Sequence, residues 1–126
     1  MIEMVLPYPP SANRIWRMFR GRMVISREGR AFRGRVCSVL AAMGAQMMTG
    51  PLVVEIDLYP PDRRRRDCDN TLKASLDAIQ HGGAYEDDSQ IWKLTVTRHR
   101  PVRGGRMLVR IAQTPSPQDE VGEGPG

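Results

Sequence analysis

Apolar positions along this chain repeat with two periods, one of two residues and one of 3.6, and they separate strands from helices. Met1–Leu6 is a short apolar strand candidate, stopped by Pro7, Pro9 and Pro10. Residues Pro7–Arg22 read as a loop, and Met23-Val24-Ile25 as a brief strand. Ser26 then offers a helix N-cap, with Glu28 in the first turn. Phe32, Val36, Val39, Leu40, Met43 and Met47 follow at helical spacing as one apolar face, ended by Gly50-Pro51. Leu52–Tyr59 (LVVEIDLY) is the clearest strand, closed by Pro60 and Pro61. Asp69 or Asn70 is expected to cap a second helix carrying Leu72, Leu76 and Ile79, which Gly82-Gly83 breaks. A strand over Gln90–Arg98 and another over Met107–Ala112, with the Gly104-Gly105 turn between them, suggest a hairpin. The order β(β)αβαββ predicts an α+β domain with a small mixed β-sheet and two helices on one face. Its expected extent is residues 1–113. Residues 114–126, an acidic Pro/Gly-rich stretch, are expected to be a disordered tail.

Charge adds a direction to this outline. The chain has 19 basic and 14 acidic residues, and 17 of the basic ones are Arg, with Lys73 and Lys93 as the two lysines. The tail holds Asp119, Glu120 and Glu123 and no basic residue, so the rest carries 19 basic against 11 acidic residues, a net charge of +8. An Arg-rich positive domain suits phosphate binding, and equally suits a merely soluble basic protein. No apolar run approaches the ~20 residues of a membrane span, and the N-terminus is not expected to be a signal peptide. Cys37 and Cys68 form no zinc pattern with His81 and His99, and are read as reduced thiols of a cytoplasmic protein.

The densest chemistry lies between Asp62 and Asp88. Asp67 and Asp69 stand two apart at a loop-to-helix junction, and Asp88 opens the following strand. If that strand pairs beside Leu52–Tyr59, Asp88 is expected to return near Asp67 and Asp69. Three carboxylates at one point repel unless a cation neutralises them, and all-oxygen donors favour Mg2+ or Mn2+ over zinc. Arg63, Arg64, Arg65 and Arg66 directly before the acids would offset the repulsion between those acids and DNA phosphate. Lys73, one helical turn after Asp69, would face the same site and stabilise charge on phosphorus-bound oxygen. Each feature alone has a plainer reading: a D-x-D pair can cap a helix, an Arg run can be a solvated face, and Lys73 can pair with Asp69 and Asp77 on the surface. The sharper reading rests on their joint occurrence.

Four segments carry a resemblance to a known family: LPYPPSANRIWR (Leu6–Arg17), ISREGRAFR (Ile25–Arg33), PDRRRRDCDNTLKASLDAI (Pro61–Ile79) and EDDSQI (Glu86–Ile91). The chain resembles the RusA family of Holliday junction resolvases over roughly residues 2–112. The resemblance implies a homodimeric endodeoxyribonuclease, bacterial or phage-encoded, that nicks four-way DNA junctions symmetrically with Mg2+ (or Mn2+) in recombination and repair. It implies Asp67, Asp69 and Asp88 as metal ligands, Lys73 as the essential lysine, and Asn70 and Asp87 as supporting residues. Asn13, Arg14, Arg17, Arg20, Arg22 and Arg63–Arg66 are the expected DNA contacts. Cys68 departs from an expected aliphatic residue, and Glu86 from an expected apolar one. Two other readings stay open on the residues alone: a junction-binding protein without catalysis, and a general metal-dependent nuclease.

Overall fold

The computed structural model describes residues 1–66 and 68–114, apart from the side chains of Ala12 and Asn70. Residues 115–126, almost all of the predicted tail, lie outside it, while Thr114 is held by a backbone bond to the Pro51 carbonyl (3.0 Å). The elements are β1 (Ile2–Leu6), α1 (Ala12–Ile15), β2 (Trp16–Phe19), β3 (Arg22–Ile25), α2 (Arg27–Ala42), β4 (Leu52–Tyr59), α3 (Cys68–His81), β5 (Ile91–Arg98) and β6 (Arg106–Gln113). A 3-10 turn, Asp88–Gln90, leads into β5. Among the described residues no helix is long and apolar enough to cross a membrane.

The main sheet has the strand order β1-β6-β4-β5, with β5 parallel to β4 and the other neighbours antiparallel. It is the expected mixed sheet. Alternation along β1, β4 and β6 turns Ile2, Met4, Leu6, Leu52, Val54, Ile56, Leu58, Met107, Val109 and Ile111 to one face, where all are buried. Phe32, Val36 and Leu40 of α2 and Ala78 and Ile79 of α3 cover that face and complete the core.

Four expectations need correction. β5 and β6 are not a hairpin: β6 inserts between β1 and β4, and β5 lies on the far side of β4. The residues after Pro7 are not all loop, since they fold into α1 and a separate two-stranded ribbon, β2 with β3. α2 stops at Ala42 rather than at Gly50-Pro51, which leaves Met43 and Met47 exposed. α3 begins at Cys68, so Asp69 and Asn70 lie in its first turn rather than capping it. The Ser26 N-cap is as expected, its Oγ accepting from the Gly29 N–H at 3.0 Å.

The opposite sheet face carries a cluster of charged side chains. Arg110 donates to Asp57 (3.2 Å) and Glu3 (3.3 Å), and His99 Nε2 lies 2.7 Å from the other Asp57 oxygen. The His99 bond, followed by burial that opposes it and by the Arg110 bond, leaves the Asp57 carboxyl below its ordinary pKa.

Candidate active site and nucleic-acid interface

Most of the candidate site gathers at the end of β4. The turn after Pro61 is set by Asp62, whose carboxylate accepts from the Arg64 N–H (2.8 Å) and from Arg66 Nη1 (2.7 Å). Those two bonds, the Arg66 one stronger, hold the Asp62 pKa down to about 2. Arg66 also donates to the Arg64 carbonyl (3.2 Å) and lies 5.7 Å from the centre of the Tyr8 ring. Arg66 therefore shapes the loop, and Arg63, Arg64 and Arg65 are left exposed. Tyr8, Ser11, Arg14, Pro61 and Arg64–Arg66 line a groove of about 380 Å3.

The loop after β5 supports this groove from the side. The Val102 N–H donates to the Pro60 carbonyl at 2.9 Å. Gly105 (φ +68) packs so closely that a Cβ would stand 2.9 Å from the Tyr8 Cβ and 3.1 Å from the Pro61 N, so only glycine fits. His99, bonded to Asp57 and stacked on Tyr59 at 4.5 Å, faces the charged side of the sheet. Arg98 and Arg100 flank it in the chain. With Arg63 and Pro101 they line a second cleft of about 550 Å3. Sequence reading missed Arg98 and Arg100, although arginines two apart at a strand end were the available signal.

α3 turns two faces to two tasks. Thr71, Ala74, Ser75, Ala78 and Ile79 are buried, and the half-buried Cys68 packs against the core. Asp69, Lys73 and Asp77, four residues apart, form an exposed stripe on the outer face. Asp77 pairs with Arg33 of α2 (2.9 Å) rather than with Lys73, and Lys73 makes no ion pair among the described residues. Asp67 lies outside the described residues.

Asp88 is fixed firmly, but elsewhere. Asp87 caps its 3-10 turn by accepting from the Ser89 N–H (3.2 Å), and this contact, then the side chain of Asp88, lowers the Asp87 pKa. Gln90 clamps the turn: its Oε1 accepts from the Glu86 and Asp87 N–H groups, and its Nε2 donates to the Met48 and Gly50 carbonyls. Gln90 was also missed, though D-x-x-Q is a capping-box pattern. Because β5 runs parallel to β4, with Ile91 beside Leu52, Asp88 arrives near the start of β4, whereas Asp69 follows its end. α3 spans the gap. Burial above all, then the negative charges of Asp88 and Asp77, pushes the Tyr85 phenol up, and its hydroxyl donates to the Leu76 carbonyl (2.8 Å). Asp69 stands eight residues, about 12 Å of helix, before Asp77. The structure therefore does not bring Asp69 and Asp88 together within one chain, contrary to the expected convergence. Among the described residues no three His, Cys, Asp or Glu side chains group to hold a metal ion.

Residues 7–112, the span that contains the Arg loop, α3 and the Asp88 turn, match the family described as Endodeoxyribonuclease RusA. The chain belongs to the RusA family. Relatives named crossover junction endodeoxyribonuclease include one from Enterobacteria phage 82, 40% identical over 114 residues (88% of this chain and 93% of the relative). One from Escherichia coli strain K12 is 39% identical over 112 residues, with the same coverage. One from Enterobacteria phage HK97 is 37% identical over 115 residues, 90% and 96% of the two chains. The RusA match stops at residue 112, one residue before the end of β6.

Proposed function

We propose that this chain is a Mg2+-dependent, structure-specific endodeoxyribonuclease that resolves four-way DNA junctions by paired symmetric nicks, as a homodimer in the cytoplasm of a bacterial host. The observation that carries this reading is RusA membership over 7–112, joined to a basic groove lined by Arg14 and by the Arg loop that leads into α3. Arg63–Arg65, Arg14, Arg98 and Arg100 would grip backbone phosphates, with Asn13, Arg17, Arg20 and Arg22 flanking them. Asp67, Asp69 and Asp88 would hold the ion. An all-carboxylate donor set fits Mg2+ or Mn2+. Bound there, the ion would lower the pKa of a coordinated water and neutralise charge on the scissile phosphate. Lys73 would place a compact positive charge beside the developing phosphate oxygens, and hydrolysis would leave 5′-phosphate and 3′-hydroxyl ends. Asn70 and Asp87 would orient the ligands, Asp87 by holding the turn that carries Asp88.

The separation of Asp69 from Asp88 along α3 supports one further element of this reading. A site using both draws Asp88 from the second copy, so each two-fold pair builds two equivalent sites from shared parts. Mixing Asp69→Asn and Asp88→Asn proteins, each inactive alone, is then expected to restore junction nicking, because one site of the mixed dimer keeps a complete carboxylate set. No recovery, in a mixture whose heterodimers are verified by native mass spectrometry, contradicts the shared site.

A further inference from the structure

The β2–β3 ribbon stands apart from the main sheet, and its composition is unusual for an exposed element. Its root is anchored: the Ser26 N–H donates to the Ile15 carbonyl, and Ile25 packs against Gly29 of α2. Its tip is not. Met18, Phe19 and Met23 are 61%, 51% and 65% exposed. The turn at the tip, Arg20-Gly21, has φ +52 and +75, the two positive values of a tight hairpin turn whose twist matches the strands. Register puts Arg17, Phe19, Arg22 and Val24 on one face and Trp16, Met18, Met23 and Ile25 on the other. Arg20 folds over Phe19, its guanidinium 5.3 Å from the ring centre. No acidic residue occurs between Glu3 and Glu28, while five arginines do.

A large exposed aromatic ring costs solubility unless something covers it. The charge around it selects a polyanion as the cover. Intact duplex offers phosphates to the arginines but keeps its base faces stacked. The centre of a four-way junction offers both phosphates and base faces at the strand exchange. Aromatic side chains stack on such faces whatever the base, and apolar side chains wedge between base steps. We propose that Phe19 is a stacking wedge that engages exposed base faces at the junction centre, with Arg17, Arg20 and Arg22 on the flanking phosphates. This rests on the junction-resolving function proposed above, and it gives the ribbon the task of telling a junction from a duplex.

The test measures affinity of the full-length protein for a labelled four-way junction and for a duplex of matching arm sequence, in EDTA so that neither is cut. Phe19→Ala is expected to weaken junction binding roughly ten- to a hundredfold, with duplex binding unchanged. Phe19→Trp is expected to retain the preference. Arg17→Ala/Arg22→Ala is expected to weaken both substrates and to lower the slope of log affinity against log salt by about two. A junction-to-duplex ratio that Phe19→Ala leaves unchanged, in a protein of wild-type melting temperature, overturns the wedge. So does loss of self-association by Phe19→Ala in sedimentation with that ratio intact, which would assign the tip to a second copy. If the wild-type protein shows no junction preference, the proposed function falls as well. If the wild type prefers and cuts junctions, a null result for Phe19→Ala removes the wedge alone.

Discussion

In the presence of Mg2+, the Asp69→Asn protein is expected to bind a four-way junction as the wild type does and to cut it about a thousandfold more slowly. Asn keeps the size and most of the hydrogen bonding of Asp but removes the charge that a hard cation needs. Asp69 is exposed in the first turn of α3, so the substitution buries nothing and leaves the core intact. The loss falls on transition-state charge stabilisation, and a thousandfold corresponds to about 4 kcal/mol. Asp69 does not line the Arg groove proposed to hold phosphate, so binding is expected to persist. Single-turnover cleavage alongside an affinity measurement separates the two. Equal cleavage by wild type and Asp69→Asn at saturating Mg2+ contradicts the ligand assignment.

The second large effect is on stability. Tyr85→Ala is expected to cost about 4 kcal/mol, the upper range for emptying a large aromatic from a close-packed core. Tyr85 has no exposed surface, packs within the core cluster and donates its hydroxyl to the Leu76 carbonyl. It also ties α3 to the segment carrying Asp88, with Met48 and Tyr85 forming an isolated bridge. Tyr85→Phe keeps the volume and loses the hydrogen bond, and is expected to cost about 1 kcal/mol. Denaturant unfolding of both variants checks this. Equal, small losses would mean that the site collapses without leaving a cavity.

Much of the fold can be read from local pattern because local pattern causes it. The alternation of buried and more exposed positions along β4 is written in LVVEIDLY, and Ser26 caps α2 through its own side chain. Strand neighbours are a different matter. The Gly104-Gly105 turn looks like the bend of a hairpin, yet Met107, Val109 and Ile111 suit a strand paired on both sides. β5, with Lys93, Thr95 and an exposed Trp92, suits the sheet edge. Met23-Val24-Ile25 is legible as the strand β3, but its partner β2 is not, because Arg20-Gly21 lacks the usual Asn-Gly turn signal.

The candidate site divides along the same line. The Arg run, the position of Asp69 at the start of a helix and the exposed Asp69–Lys73–Asp77 stripe all follow from spacing in the sequence. The place of Asp88 depends on the direction of β5, which no local spacing encodes. Parallel pairing with β4 places Asp88 by the start of that strand, the end opposite the one that Asp69 follows.

The most direct measurement is cleavage by the purified protein of end-labelled four-way junction, matched duplex and single strand, each with Mg2+ or with EDTA. Junction resolution predicts nicks at two symmetry-related positions on opposing strands, on the junction alone and only with Mg2+. Cutting of all three substrates, or junction binding without any cut in Mg2+, would contradict it.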